Sequence, residues 1–537
     1  MAENPQQPAT PSVFPPLGLL AVLLGAMIAT FFGRLLSVGA ADLRGAMHLD
    51  YDAATWITTA YNMGLMFIGP FSVYLGGLLG PRRVLLASAL LFAALSAAMP
   101  LLGHLPVLLT FLALGGLSAG TFYPLTLSFL LRNLKQEHTT YGIAAYAADI
   151  VFTTHVAHSY EAWLMLNLSW RWIFWTSSIL SALMAVLIYF GVPQQPLSQP
   201  KPGERAPSWR GFLYASLGAA LLYGALDQGL HLDWWRSGTF VGMVAAGFFL
   251  IGAAMVRHFY LPHPLIDFPF IGRWNTMFLG VVLFFFRFLL LGSVLVLPAY
   301  LAAIRGYTSE QIGPVLLWLA IPQLLAGLLA VYLLGRIDAR VILATGVTLI
   351  AIGCVMDAGL TSDWAGSNFY TSQLVLATGE GFAFNGLVGS IILDVMNSGI
   401  MTRPIQLLSF AGFFQTVRLL GGELGSSFMQ YYLQTREQLH SNLLGLYVQT
   451  GAAPTLDRAQ DLAAAMFPQA PAFDVALGRA GELLGLTVRK QAYTLAITDC
   501  FWVIAFSALI CLLAVASVRS LDIQYKHVIA AARNQRT

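Results

Sequence analysis

Charged side chains are scarce in this 537-residue chain: Asp, Glu, Lys and Arg make up 10% of it, against 57% hydrophobic residues and a mean hydropathy of +0.71. A water-soluble domain has too little interior to bury that much apolar surface, so the scarcity excludes a soluble globular fold. Cysteine is scarcer. Cys354, Cys500 and Cys511 lie in apolar runs without metal-ligand spacing, which argues against a disulfide framework or a thiolate metal site and leaves buried packing thiols. Basic runs are missing too, and a formal charge of +3 gives nucleic acid nothing to hold. A Walker-type phosphate loop does not occur, nor an HExxH zinc motif, nor a Ser/His/Asp elbow. An ATP-driven pump and an enzyme are therefore not expected, and no cofactor is.

What the chain has is apolar length. Fourteen hydrophobic stretches fill most of it, at 17–40, 53–75, 83–103, 106–131, 140–165, 171–192, 209–229, 236–257, 275–303, 310–334, 339–360, 368–395, 403–431 and 494–518. Runs of about 20 apolar residues match a hydrocarbon core of about 30 Å, in which the backbone must close its hydrogen bonds within helices. The expected fold is an all-α polytopic membrane protein. The first sixteen residues carry no Lys or Arg and no small-residue cleavage site follows the first apolar run, so 17–40 is read as a retained spanning helix, not a signal peptide.

Positive charge orients the bundle. Arg82, Arg83, Arg132, Lys135, Lys201, Arg205, Arg210, Arg257, Arg273, Arg336, Arg340, Arg403, Arg519, Lys526, Arg533 and Arg536 fall on one set of short loops and the C-terminal tail. The opposite short loops hold Arg44, Arg171, Arg236 and Arg305. Both termini are therefore expected in the cytoplasm. Residues 432–493 become a long outer excursion, read as a solvated loop or as a docking surface for a partner.

The segment WITTAYNMGLMFIGPFSVYLGGLLGPRR (56–83) resembles the second spanning helix and following loop of major facilitator drug:proton antiporters. LALGGLSAGTFYP (112–124), LSWRWIFW (168–175), ALDQGLHLDWW (225–235), HPLIDFPFI (263–271), VLPAYLAAIRGYTSEQIGPVLL (296–317) and QTVRLLGGELG (415–425) resemble further segments in the same order. End to end, the chain is similar to the fourteen-spanner EmrB/QacA-type subfamily. That resemblance implies a major facilitator fold of two six-helix halves, 1–192 and 258–537, joined by a cytoplasmic linker at 193–208 and two inserted helices at 209–257. It also implies a bacterial inner membrane, alternating access around a midplane cavity, a small organic cargo and export driven by inward proton flow. A membrane-fusion adaptor and an outer-membrane channel are the implied partners.

The fold residues of the subfamily pattern are kept: Gly80, Arg82 and Arg83 after the second helix, and Gly116, Gly120 and Pro124 in the fourth. The polar residues are rewritten. Arg34 stands where the subfamily has an Asp, and the antiporter motif of the fifth helix reads AHSYEA (157–162).

An ionisable residue at membrane depth is costly unless paired or wetted, so each one marks a functional position. Arg34, Arg287 and Glu380, with the aromatics Tyr61 and Tyr123, are the expected cargo-binding residues. A guanidinium grips a carboxylate or sulfonate through paired hydrogen bonds but does not titrate. Proton transfer is expected of Asp149, His155, His158 and Glu161, the last three recurring every third residue along one drifting helical stripe. Packing of these groups against Arg34 or Arg171 is the competing reading. Arg418 and Glu423, five residues apart and roughly 140° around a helix, are expected to act as inter-helix clamps. The function expected is proton-coupled efflux of amphipathic organic compounds, with anionic or aromatic acids in view. An uncoupled facilitator or importer of a small organic anion is the alternative.

Overall fold

The computed structural model describes residues 15–126, 139–193, 209–260, 267–399, 404–449, 451–469, 472–521 and 524–525. Residues 194–208 of the expected linker lie outside the described residues, as do Arg132, Lys135, Lys201, Arg205, Arg403, Lys526, Arg533 and Arg536 of the charge tally.

The described chain is helical throughout. In order come α1 (Pro15–Val38), the short α2 (Ala40–Ala46), α3 (Tyr51–Leu79), α4 (Pro81–Ala98), α5 (Leu105–Ala119), α6 (Thr139–Asn167) and α7 (Trp172–Gly191). Then follow α8 (Trp209–Gln228), α9 (Gly238–Tyr260), α10 (Trp274–Leu289), α11 (Leu297–Arg305), α12 (Ser309–Leu334), α13 (Ala339–Asp357), α14 (Tyr370–Ser398), α15 (Pro404–Gly445), α16 (Ala453–Met466) and α17 (Phe473–Ser517). A π-helical turn, Gly292–Val296, joins α10 to α11 within one long rod.

Among the described residues, ten rods are long and apolar enough to cross a membrane by composition alone. The chain is a multi-pass membrane protein. The four other long rods, α3, α6, α8 and α15, carry more polar side chains, and they prove to be the ones that supply much of the polar interior.

Two hydrophobic cores result. One is built from α1 and α3–α7 around Phe32, Tyr61, Phe92, Phe122 and Phe174. The other unites α10–α15 and α17 around Phe286, Leu297, Tyr300, Leu319, Ile350 and Phe501. In lipid the apolar effect does not drive helices together, so close packing and small residues must. Gly116 shows the device: a Cβ there would collide with the Tyr61 carbonyl, so α5 and α3 cross with backbones touching. Gly120 repeats the contact one turn on, against Leu65 and Ile68, and the buried Pro124 lies in the helical stretch that follows α5.

One end of the bundle gathers basic residues. Gly80, at φ +83° where L side chains are strained, turns α3 into α4. Arg82 donates to the Tyr189 carbonyl at 2.6 Å and lies over the Tyr189 ring, tying α4 to α7, while Arg83 is exposed. Arg340 donates to the Val518 carbonyl at 2.8 Å and Trp274 to the Ser517 carbonyl at 2.7 Å.

The opposite end carries a helical extension. The sequence reads 432–493 as an outer loop with helical pieces; instead α15 and α17 run on without a break. At about 1.5 Å per residue, the 42 residues of α15 and 45 of α17 reach well beyond a bilayer. Asp499 fastens the base, accepting from Arg436 at 2.6 Å and bonding His440 at 2.7 Å. Ala463, Ala476 and Ala480 make a small core where α16 packs on α17. Cys354, Cys500 and Cys511 are buried and free.

Candidate functional site: a polar cavity between the two cores

A cavity of about 980 Å³ separates the two cores. Its wall runs from mid-helix positions such as Ala29, Leu65, Ile150 and Leu419 to Asp42, Leu166, Glu310 and Gln430 at the extension end. At the basic end the halves meet instead: Ile392 and Met396 of α14 pack into the core of the first half. The cavity therefore opens toward the extension.

Three arginines converge on it. Arg34 comes from α1, Arg287 from α10 and Arg418 from α15. Arg34 donates from Nη2 to the Val294 carbonyl in the π-helical turn at 3.5 Å, and its Nε is buried without a partner. Arg287 lies across Gly422, where a Cβ would sit 3.1 Å from Nε and Nη2, and its Nε is likewise unpartnered. Arg418 and Glu423, expected as inter-helix clamps, both face the cavity. Arg418 rests 3.6 Å from the centroid of Tyr123 and donates to Gln415 at 3.2 Å. Tyr123 thus serves as a platform for a cavity arginine.

Tyr61 is corrected more sharply. It is fully buried inside the first core, edge-on to Phe32, and takes no part in the wall. Sequence gave no sign of this, because an aromatic on a polar helix reads the same whichever face it occupies.

The α6 stripe divides. His155, His158 and Glu161 line the cavity, whereas Asp149 is not part of the wall. Glu161 faces Asp42 and Ser309, yet neither of its carboxylate oxygens has a hydrogen-bond partner. His155 reaches away from the cavity to Glu380, its Nε2 3.1 Å from Oε2.

Glu380 itself, expected on the wall, stands behind it. Ser293 of the π-helical turn donates to its Oε1 at 2.7 Å and Gln323 of α12 to its Oε2 at 3.1 Å. With His155, Glu380 joins four helical segments from both halves in one buried web (each of the two residues is 1% exposed). A low-dielectric interior makes such a web costly to break, because every member loses its partners together.

Sequence reasoning missed Tyr223 and Asp227 of α8, which line the cavity beside Glu423. Asp227 occurs in the ALDQGLHLDWW segment, four residues before a histidine, and was masked there by its nearness to a turn. The excess polarity of α8 over its apolar neighbours was the available signal. Asp42, Glu310 and Asn62 complete the polar lining. The wall sets three guanidiniums against five carboxyl groups.

The chain belongs to the Major Facilitator Superfamily, whose model matches residues 22–426. "Multidrug export protein EmrB" of Haemophilus influenzae is 23% identical over 514 residues, covering 92% of this chain and 95% of that protein. "Fatty acid resistance protein FarB" of Neisseria gonorrhoeae is 23% identical over 395 residues, 72% of this chain and 74% of its own. The solved proton:xylose symporter XylE, bound to 6-bromo-6-deoxy-D-glucose, superposes with a TM-score of 0.57 at 12% identity over 96% of this chain and 98% of that one. At that identity the likeness speaks for the fold alone. The resemblance to the fourteen-spanner subfamily and the all-helical fold hold, and the family is one of transporters, not enzymes.

Proposed function

We propose that this major facilitator protein is a secondary active exporter, coupling inward proton flow to the efflux of amphipathic organic compounds that carry an acidic group. The observation that carries the reading is the convergence of Arg34, Arg287 and Arg418 on one cavity, two of them with an unpartnered Nε. A guanidinium with a free donor in a partly desolvated site is an acceptor's partner in waiting. Leu290, Leu291 and Phe384 give the apolar body of a cargo its contact. The relatives named for multidrug export and fatty acid resistance support efflux, the second also supporting an acid.

In this reading the halves are 1–192 and 258–537, with α8 and α9 inserted between them, and the alternation of access follows from their rocking. The basic end is cytoplasmic, with both termini, in a bacterial inner membrane, so the cavity faces outward. The extension is the docking surface for a membrane-fusion adaptor that leads to an outer-membrane channel. Proton transfer uses His155, His158 and Glu161, with Glu380 behind them; arginine does not titrate and only binds. The rewritten AHSYEA motif favours one alternative, an uncoupled facilitator or importer of a small organic anion on the same fold.

Inside-out vesicles holding the protein separate the two. With an imposed pH gradient, acidic probes such as salicylate should accumulate, and a lipophilic cation such as tetraphenylphosphonium should not. Accumulation of the cation alone ends the acidic-cargo reading, and equilibration without accumulation establishes the facilitator.

A further inference from the structure

On the cavity wall, α8 and α15 bring two carboxyl groups together. Asp227 and Glu423 line the same stretch of wall close enough to interact, outside the α6 stripe and the Glu380 web. Thr59 of α3 donates to Asp227 Oδ2, and Gln228 Nε2 donates in turn to the Thr59 hydroxyl. Ser427 donates to Glu423 Oε1 at 3.0 Å, and Tyr223 stands beside the same carboxylate. The pair is held from three helices, at a fixed spacing, facing the open cavity.

The charged or titratable groups that face the pair are Tyr223 on α8, His231 just beyond it and Arg287 on α10. Arg418 and Tyr123 stand behind Arg287. Arg287 is the unusual neighbour: its Nε is buried and without a hydrogen-bond partner although Glu423 is near. Its free donor therefore points to a ligand, not to an internal ion pair. Two neighbouring carboxylates repel each other when both are ionised, so the pair favours holding a cation between them or sharing a proton.

We propose that the Asp227–Glu423 pair is the subsite for a cationic group of the cargo, a primary or secondary amine, beside the Arg287 subsite for its acidic group. The cargo is then a zwitterionic amphipath. An amine and a proton compete for the same two carboxyl groups, so a cargo leaves as a proton arrives. Helix α8 is thereby part of the transport site rather than padding between the halves. The inference deepens the exporter reading and rests on it for the direction of transport, though not for the binding chemistry.

Three matched biphenyl probes test it: 4′-(aminomethyl)biphenyl-4-carboxylate, the same acid with methyl in place of aminomethyl, and the same amine with methyl in place of carboxylate. Equilibrium binding to the purified full-length protein in detergent is measured at about pH 8 and about pH 6, where the probes keep their charges. The zwitterion should bind about 10-fold or more tightly than either single-charge probe, the gain of one added charge-assisted contact. Its advantage should shrink at the lower pH, while the acid's affinity holds. Asp227→Asn and Glu423→Gln should each remove the zwitterion's advantage over the acid, and binding of the acid in the same sample reports that the variant is folded. Equal affinities for zwitterion and acid in the unaltered protein overturn the proposal, as does an advantage that survives either substitution. A pH-independent advantage overturns it without any variant. If the zwitterion binds as described but no pH gradient moves it in vesicles, the exporter reading falls and the subsite stands.

Discussion

Glu380 and Glu161 are both buried carboxylates between the two cores, Glu161 on the cavity wall and Glu380 behind it, and their surroundings differ completely. Glu380 bonds His155, Ser293 and Gln323, drawing on both halves and on the π-helical turn. Glu161 has Asp42 and Ser309 near it and a partner for neither oxygen. The same division runs through the rest of the interior: Asp338 is ringed by donors, whereas Arg34 and Arg287 keep an empty Nε. A satisfied polar group holds the bundle together, and an orphaned one waits for something that is not protein.

Breaking the satisfied web should do the most damage. Glu380→Ala strands His155, Ser293 and Gln323 at once, and each buried polar group left without its partner typically costs about 1–3 kcal/mol. Thermal unfolding of the purified protein should show a large loss, with Glu380→Gln intermediate; an unshifted transition would dissolve the contrast. Arg287→Gln should do the reverse. Fold stability should hold, while affinity for an acidic cargo drops by about 1.5–3 kcal/mol, or roughly 10- to 150-fold, measured by equilibrium binding against a neutral analogue that barely changes.

A smaller effect is expected at Asp338, outside the membrane at the basic end. Asp338 caps α13, accepting from the Arg340 backbone at 2.9 Å and its Nη2 at 2.8 Å, and from Gln524 at 3.2 Å. Burial works to raise this carboxyl, but the hydrogen bonds and charge of Arg340 outweigh it and hold the group below its ordinary value. A lowered folded value means the contribution is present above the unfolded carboxylate range and fades as pH falls through the folded value. Asp338→Ala should cost about 1 kcal/mol near neutrality, as lost helix caps do, and the difference from the unaltered protein should vanish in acid. The smallest change in stability should come from Glu161→Gln, which leaves no donor behind; melting should move by less than roughly 1 kcal/mol and upward if at all. Gradient-driven uptake is its proper readout, and uptake equal to that of the unaltered protein would remove Glu161 from the proton path.

Much of this was legible along the chain. Apolar runs mark the rods, and Arg287 stands out along the chain as a guanidinium inside a long apolar run. The extension was legible only as two helical fragments, since nothing local says that α15 and α17 continue unbroken from membrane to water. Tyr61 and Glu380 went the other way, placed on the cavity by their polarity and found behind it. Asp227 was overlooked because one acid near a helix end is unremarkable until Glu423, 196 positions later, stands opposite it.

Sequence alone determined the solvent, the helical class and the residue types at membrane depth, because hydropathy and length are properties of a segment and a bilayer tests each segment separately. Whether a buried charge is satisfied was decided only by the tertiary structure. That depends on which atoms of distant helices arrive within about 3 Å, and His155 meets Glu380 across 225 positions of chain while neither oxygen of Glu161, six residues further along the same helix, has a hydrogen-bond partner.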